Sequence, residues 1–390
     1  MKLLRTLSTR RLIVLAAAAL AVAVGGTAIA VAASGGSGAT PPAKPLAQAI
    51  HDALAAPDSA GITAKIRFTN RLFPSGSLLG DTASALMSGA SGRLWLTNDG
   101  RGRLELQSDA GDVQVVWNND KLTVYDASSN TVYTLDLPAA KTGSSSQDSG
   151  AAPSLTQIGD FLSKLGEHAD VSGAQPTDIA GRPTYSVKIS PKHDGGLLGY
   201  AELAWDADQG VPLRVAVYAQ GSSKPVLELA ATDVSYGSVP SSAVDVPPPA
   251  GTKTVDLSAA TKPETGADKT KAATGVAAVQ AAVDFPVIAP DTLVGLPRKD
   301  VRTIGGNNAL VVYGQGLGAI VIVERKADAA GTQQGGPMSA LPSVALDGLT
   351  GHELATQLGT AIEWQRNGVS FVLAGSLPPA AAESAARALK

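Results

Sequence analysis

The chain contains no cysteine among its 390 residues, which excludes several kinds of site at once. Without a thiol there is no disulfide, no thiolate metal ligand, no cysteine nucleophile and no lipid-modified N-terminal cysteine. Histidine is also scarce, and no two histidines lie at metal-ligand spacing. The four histidines are His51, His168, His193 and His352. We therefore expect a protein that needs no metal or other cofactor.

Sequences typical of catalytic sites are lacking as well. There is no G-x-S-x-G nucleophile elbow, and His352-Glu353 begins like a zinc-protease helix but has Thr356 in place of the second histidine. Gly314–Gly318 resembles a phosphate-binding loop, yet it lies between two predicted strands, so we interpret it as a hairpin turn. Asp206 and Asp208 resemble the start of a calcium loop whose other ligands are misplaced, and a turn is again favoured. The sequence predicts that the chain is not an enzyme.

Positive charge is scarce outside the N-terminus. The first 33 residues hold Lys2, Arg5, Arg10 and Arg11 and no acidic residue. The remaining residues carry 27 basic and 34 acidic side chains, a net charge of −7. A surface of this sign lacks the electrostatic footprint of a nucleic-acid-binding protein, so we expect no nucleic acid partner.

One long uncharged run, from Leu12 to Ala33, directly follows those basic residues. Its 22 residues are long enough to span a membrane, and the flanking positive charge predicts an N-terminus in the cytoplasm. The small residues from Ala28 to Ala32 also fit a signal-peptidase site. Two interpretations remain open: a retained single-pass anchor in the cell membrane, or a signal peptide whose cleavage leads to secretion. Both place residues 34–390 outside the cytoplasm.

Composition divides the rest of the chain into segments. Residues 1–33 form the predicted anchor or signal peptide, and residues 34–45, rich in Gly, Ser and Pro, form a flexible spacer. Residues 46–250 form a first folded domain. Residues 251–280 contain almost no large apolar side chain and are predicted to be a linker. Residues 281–390 form a second, smaller domain, of the α+β or the α/β class, in keeping with the length of the chain.

Apolar and polar residues alternate with a period of two between Gly92 and Pro138. This is the pattern of strands with one face in a core and the other in water. Breaks rich in Asn, Asp and Gly separate the runs, as tight hairpin turns require. The stretch therefore predicts an antiparallel meander of about five strands, preceded by a strand at Ile62–Phe68. A second set of strands is predicted at Thr184–Ile189, Ala201–Trp205, Leu213–Tyr218 and Val226–Val234.

Two segments are candidates to cover the apolar face of this sheet. Leu72–Ala90 is an apolar loop where a tight turn would have sufficed, and it is either a lid or a short helix that packs on the sheet. Its bulky residues include Leu78, Leu79, Leu86 and Met87. The second candidate is a helix that begins after Ser154, with Gln157 completing a capping box, and ends at Gly166. In the second domain, Ser376 is predicted to cap a final helix.

Several short motifs occur in the order found in LolA-type lipoprotein carriers. Those of the first half are Gly92-Arg-Leu-Trp95, Gly102-Arg-Leu-Glu-Leu106, Asp112-Val-Gln-Val-Val116 and Leu122-Thr-Val-Tyr-Asp126. Those of the second half are Ala204-Trp-Asp206, Gly210-Val-Pro-Leu-Arg214 and Thr232-Asp-Val-Ser-Tyr236. The second half is also similar to the RseB/MucB type of periplasmic sigma-factor regulator. The resemblance covers Leu46–Pro249.

The resemblance implies an open, curved antiparallel sheet whose helices close an apolar hollow. Carriers hold the acyl chains of lipoproteins there, whereas the regulators sense lipid-like signals and hold an anti-sigma factor. The expected fold class is α+β: a curved antiparallel half-barrel closed by helices, a smaller C-terminal α/β domain, and an N-terminal transmembrane or signal helix. Arg67 falls on the polar phase of its strand, so the role of the carriers' cavity arginine is not transferred to it.

We expect from this a non-enzymatic extracytoplasmic protein that binds an acyl chain or a lipoprotein in an apolar cavity. The cavity residues would be the core-phase side chains Leu94, Leu96, Leu104, Leu106, Val113 and Val115, with Leu78, Leu79, Leu86 and Met87 as the lid. One alternative is that these side chains pack on the helix after Ser154 and leave no hollow. Another is a membrane-surface regulatory protein that binds an anti-sigma factor or another membrane partner.

Overall fold

The computed structural model describes residues 40–72, 89–118, 120–137, 152–192, 196–257, 273–305, 307–327 and 341–390. In these residues the chain is mostly β with few helices. It divides into an N-terminal unit within Met1–Arg71, Asp81–His193 and Gly199–Lys262, and a C-terminal unit within Leu72–Gly80, Asp194–Leu198 and Pro263–Lys390. The predicted anchor, residues 1–33, lies outside the described residues. No helix in the described part is long and apolar enough to cross a membrane.

The N-terminal unit is built on one large sheet with short helices. Its helices are α1 (Leu46–Ala55), α2 (Leu155–Leu165) and α3 (Ser241–Val244). Its strands are β1 (Gly61–Asn70), β2 (Ala90–Thr97), β3 (Gly102–Ser108), β4 (Gly111–Trp117), β5 (Lys121–Asp126), β6 (Thr131–Asp136), β7 (Ala169–Val171), β8 (Gln175–Ile179), β9 (Arg182–Pro191), β10 (Leu198–Asp206), β11 (Pro212–Ala219), β12 (Pro225–Tyr236) and β13 (Lys253–Asp256).

The strand order in this sheet is β13-β6-β5-β4-β3-β2-β1-β12-β11-β10-β9-β7, and β8 also pairs with β9. Strands β2 to β6 are consecutive antiparallel neighbours, which confirms the predicted five-stranded meander. The two predicted strand sets join where β1 pairs antiparallel with β12. The capping box of α2 is confirmed too: the Gln157 amide donates to Ser154 Oγ at 3.3 Å, and the Ser154 amide donates to Gln157 Oε1 at 2.8 Å.

Two stretches of the segment predicted as a linker form secondary structure. Strand β13 pairs in parallel with β6, so that Val255 lies opposite Tyr133. Residues 276–282, at the other end of that segment, form a helix. An edge strand needs main-chain hydrogen bonds on only one side and few apolar side chains, which is why a composition argument does not detect it.

In its described residues, the C-terminal unit contains one antiparallel sheet and two α-helices, α4 (Val276–Ala282) and α5 (Pro379–Ala388). Its strands are β14 (Thr292–Leu293), β15 (Leu296–Ile304), β16 (Asn308–Tyr313), β17 (Ile320–Lys326), β18 (Ser343–Leu346), β19 (Leu349–Thr356), β20 (Gly359–Arg366) and β21 (Val369–Gly375). Their order is β14-β15-β16-β17-β21-β20-β19-β18. The prediction of an α/β domain was wrong, because the two helices flank the run of strands instead of alternating with them and every described pairing is antiparallel.

The cap predicted for α5 was wrong as well. The helix begins at Pro379 with Pro378 at its N-cap position and no side-chain cap. Ser376 lies upstream of the helix and donates its hydroxyl to the Leu358 carbonyl at 2.8 Å. Proline at the first helical position has no N–H group that a cap would have to satisfy. The Ser376 hydroxyl therefore bonds the turn between β19 and β20 instead of the helix. The hairpin interpretation of Gly314–Gly318 is confirmed, since a short 3-10 turn joins β16 to β17 there.

One face of the C-terminal sheet is sealed by its own helices. Val311, Ile320, Ile322, Ile362 and Leu373 are completely buried. Small side chains of α5 pack into the same cluster, where Trp364 stacks on Phe371 with ring centroids 5.1 Å apart. This unit thus has a conventional closed core.

Candidate functional site

The N-terminal sheet carries a continuous row of apolar side chains on one side, which we call the apolar face. Residues directly opposite each other in an antiparallel pair point to the same side of the sheet. Leu94 lies opposite Ala64 on one neighbouring strand and opposite Leu104 on the other. Leu104 in turn faces Val115, which faces Val124. The row thus crosses five consecutive strands from β1 to β5.

The other predicted cavity residues lie on the same face. Leu106 is opposite Val113, and Leu96 is opposite Ile62. Leu106 and Val113 are each 2% exposed, whereas Leu94, Leu96, Leu104 and Val115 are only half-buried. The structure brings all six together, but the burial differs within the set. The four predicted lid residues Leu78, Leu79, Leu86 and Met87 lie outside the described residues.

A tryptophan extends the apolar face at the β3–β4 end. Trp117 lies opposite Gly102 and Leu122, on the side that carries Val115. A Cβ at Gly102 would lie 2.1 Å from the Trp117 ring, so the indole rests on bare backbone at this position. Any side chain larger than glycine would displace the ring, which makes Gly102 part of the construction of the face.

The apolar face continues across β1 into β12, where the sequence predicted strands but no site. Phe68 lies opposite Leu229, which lies opposite Val215 on β11. Leu229 is 42% exposed although it occupies a central strand of the sheet. Large apolar side chains on central strands are normally covered, so this exposure marks an open part of the face. The alternation of Leu227, Leu229 and Ala231 was the available sequence signal.

The helices cover a different part of the same sheet. Leu165 of α2 and Ala49 and Ala53 of α1 belong to a buried cluster with side chains of β9 and β10. The strand members of that cluster are Tyr185, Val187, Ile189, Ala201, Leu203 and Trp205. None of the six predicted cavity residues is in this cluster. They belong instead to, or pack against, a second cluster around Ile62, Ile66 and Leu213.

The opposite face of the sheet holds a polar network that fixes β10, β11 and β12. Arg214 contacts the carboxylates of Glu202 at 3.0 Å and Glu228 at 2.8 Å, and it donates to the Tyr218 hydroxyl at 2.6 Å. Burial opposes the charged form of Arg214, but the two carboxylates and the hydroxyl outweigh it and raise its pKa. Burial also raises the pKa of Tyr200 to about 12 where its ring stacks on Tyr218. Each of these groups is satisfied within the network, which indicates a structural role.

The aspartates that resemble a calcium loop form a turn instead. Asp206 is buried, and its Oδ1 accepts the backbone N–H groups of Asp208 and Gln209, each at 2.9 Å. Its other carboxylate oxygen accepts the Tyr236 hydroxyl at 2.7 Å. The carboxylate is thus engaged in holding β10 to the turn and to β12. Within the described ranges, no cluster of three or more His, Asp or Glu residues has the arrangement of a metal site.

Solved structures similar to this chain include the two kinds of protein that its sequence motifs resemble. A chain of the Pseudomonas aeruginosa MucA/MucB complex is 14% identical with a TM-score of 0.44, and the match covers 87% of this chain and 96% of that one. A crystal structure of MucB is 15% identical with a TM-score of 0.36 over the same shares of the two chains. A putative outer membrane lipoprotein-sorting protein domain from Vibrio parahaemolyticus is 11% identical with a TM-score of 0.20, covering 49% of this chain and 91% of that one.

Neither a protein-family model nor a curated protein matches the chain. Identities of 11–15% do not transfer a function to it. The function proposed next therefore rests on the apolar face itself.

Proposed function

We propose that this chain is a non-enzymatic, extracytoplasmic binding protein that holds the acyl chains of a lipid or lipoprotein on the apolar face. The observation that carries the proposal is the incomplete burial of that face, from half-buried Leu104 on β3 to Leu229, 42% exposed, on β12. An acyl chain laid along these strands would remove its own surface and that of the apolar face from water. This burial stabilises the complex by roughly 0.8 kcal/mol per methylene group.

Shape and apolar lining are all that such a ligand requires. Side chains that are half-buried in the free protein already form the floor, so binding does not require the sheet to unfold. The extracytoplasmic location is part of the proposal and follows from the uncharged N-terminal run.

Binding of a fluorescent fatty acid to the full chain in mild detergent tests this function, together with native mass spectrometry after gentle purification. We expect saturable binding that Leu104→Gln weakens by about tenfold, because a buried amide would replace apolar contact. Leu354→Gln is the matched control, since Leu354 is also a half-buried strand leucine but belongs to the C-terminal sheet. A protein that carries no lipid and ignores the fatty acid would refute the proposal, as would equal effects of the two variants.

A second candidate function is a regulatory protein that binds a membrane partner such as an anti-sigma factor. It is favoured by the outer face of the C-terminal sheet, where Val321 is 36% exposed and lies opposite Val312 and Ala374. Affinity purification from solubilised membranes should then recover one membrane protein with the wild type and lose it with Val321→Asp. Val294→Asp, at a residue 48% exposed in a turn of the same unit, is the control. Recovery that is unaffected by Val321→Asp would exclude this surface.

A further inference from the structure

The tip of the β8–β9 hairpin lies against one end of the apolar face. Ile179 and Arg182 are directly opposite each other at this tip, so their side chains point to the same side of the hairpin. Ile179 packs against the cluster around Ile62, Ile66 and Leu213, which the predicted cavity residues also join. Arg182 therefore lies at the margin of the apolar face and on its side of the sheet.

Tyr236 connects Arg182 to the strands that carry the cavity residues. The guanidinium carbon of Arg182 lies 5.0 Å from the centroid of the Tyr236 ring. Tyr236 is directly opposite Ile62 on β1, and Ile62 is directly opposite Leu96 on β2. Because neighbouring strands are about 4.8 Å apart, Tyr236 and Leu96 are separated by about 10 Å across the sheet. One small amphiphile is long enough to reach from Arg182 to the half-buried Leu96.

Arg182 is a half-buried cation that forms no ion pair with any described carboxylate. Its Nη2 donates to the Val234 carbonyl at 3.4 Å, which is long for a hydrogen bond of this kind. The other guanidinium nitrogens have no acceptor among the described residues. A charge that is partly withdrawn from water is stabilised by a counter-ion, so this position favours an anion.

The carboxylates closest to the hairpin tip are engaged elsewhere or point away. Asp206 accepts the Tyr236 hydroxyl and two backbone N–H groups of its own turn. Asp178 lies opposite Pro183, the residue after Arg182, and therefore points to the other side of the hairpin. The positive charge of Arg182 thus remains available to an anion that enters from solvent.

We propose that Arg182 binds the oxyanion headgroup of an amphiphile whose acyl chain lies on the apolar face over Leu96 and Leu94. The inference rests on the proposed acyl-chain binding and names the class of ligand, one that ends in a carboxylate or a phosphate. The planar guanidinium presents two parallel N–H groups that match the oxygens of either headgroup. The Tyr236 ring would support the guanidinium on its other side.

The test compares the affinities of the full chain for decanoate, decyl phosphate and decanol, which share one chain length, all below their micelle-forming concentrations. At about 0.1 M salt, we expect at least one of the two anions to bind about tenfold more tightly than the alcohol. Arg182→Gln should abolish this advantage and leave the affinity for decanol unchanged. Arg182→Lys, which keeps the charge, should retain part of it. The tighter of the two anions identifies the headgroup as a carboxylate or a phosphate.

Arg93→Gln is the matched control. The Arg93 guanidinium also lies over an aromatic ring, 5.5 Å from the centroid of Trp95, and forms no ion pair with a described residue. Arg93 directly precedes Leu94 on β2, so its side chain points to the other side of the sheet. The control removes the same charge and should change none of the three affinities.

The outcomes separate this inference from the proposed function. If the three ligands bind equally and Arg182→Gln has no effect, the headgroup site is refuted while acyl-chain binding stands. If none of them binds, the proposed function itself fails. Equal weakening of all three ligands by Arg182→Gln would show that Arg182 only supports Tyr236 and would overturn the assignment. An equal loss of anion affinity in Arg93→Gln would refute it too, since the effect would then reflect net charge.

Discussion

The apolar faces of the two sheets in this protein differ in how completely they are buried. In the C-terminal sheet the side chains of Ile322, Ile362 and Leu373 are completely buried beneath the helices of the same unit. In the N-terminal sheet the helices cover β9 and β10, while Leu104 stays half-buried and Leu229 is 42% exposed. Both faces are lined by aliphatic side chains, and they differ in how much of that lining is covered. The sealed face contributes stability, and the open face is the surface on which we propose that an acyl chain binds.

The largest expected contrast is between leucines of the two faces. Leu373→Ala should destabilise the C-terminal unit by about 2–5 kcal/mol, because the truncation leaves a cavity in a closed core. Leu104→Ala should cost the N-terminal unit about 1–2 kcal/mol, since water already reaches part of the side chain. Hydrogen exchange followed by mass spectrometry reports the opening free energy of each unit separately. Equal costs would show that the N-terminal face is as closed as the C-terminal one.

The sealed core should also respond to pH. Glu324 is completely buried, and only one of its carboxylate oxygens accepts a hydrogen bond. The donor is the Ile288 N–H at 3.0 Å. Burial raises the pKa of Glu324 to about 7. The protonated carboxyl therefore stabilises the fold below the ordinary pKa of 4.5, and this contribution is lost as the pH rises through about 7. The expected loss is about 3 kcal/mol.

Comparing the wild type with Glu324→Gln isolates that contribution, because the amide keeps the shape and does not ionise. The free energy of unfolding of the C-terminal unit should differ little between the two proteins at pH 4.5 and should favour the variant above pH 7. Other carboxylates titrate identically in both proteins and cancel in the difference. A difference that does not change with pH would mean that Glu324 is accessible to water.

Substitutions on the open apolar face should weaken acyl-chain binding clearly but change the free energy of unfolding only slightly. Leu229→Ser is expected to weaken acyl-chain binding by about fivefold to tenfold while changing the unfolding free energy by less than about 1 kcal/mol. The control is Val321→Ser, at an exposed apolar residue of the C-terminal sheet. A loss of stability without a loss of affinity would assign Leu229 to the core and not to a site.

The smallest effect concerns helix α2, which packs against α1 and β7. Ser154→Ala removes the capping box of α2 and should cost about 1 kcal/mol. Because Leu165 of α2 belongs to a buried cluster that contains none of the six cavity residues, we expect thermal unfolding to shift slightly and acyl-chain affinity to stay constant. An affinity that falls along with the stability would show that α2 also shapes the ligand site.

Local pattern was enough to predict the elements that build the apolar face. The alternation from Leu94 to Val115 gave the correct strands and placed six side chains on one side, because side-chain direction in a strand follows directly from spacing. Ser154 and Gln157 predicted the start of α2 for the same reason, since a capping box involves residues only three positions apart. The identity of any ligand is not encoded in such local patterns.

What the sequence did not reveal depends on contacts between distant segments. The exposure of Leu229 depends on where the helices pack. Helix α2 contacts α1 and β7, and through Leu165 it joins the buried cluster of β9 and β10. Strand β13 is held to β6 by backbone hydrogen bonds and has few apolar residues. Only the register of β1 against β2 places Arg67 beside Ser91 and on the reverse side of the sheet from Phe68.

The most direct test of the central claim uses two tryptophans on opposite sides of the same sheet, Trp95 on β2 and Trp117 on β4. Trp117 lies on the apolar face, whereas Trp95 lies on the other side, with the guanidinium groups of Arg93 and Arg103 within 5.5 Å and 5.1 Å of its ring. A lipid with a brominated acyl chain should quench the tryptophan fluorescence of the full chain. That quenching should be largely lost in Trp117→Phe and retained in Trp95→Phe. Quenching that survives in Trp117→Phe and disappears in Trp95→Phe would place the acyl chain on the wrong side of the sheet and contradict the account.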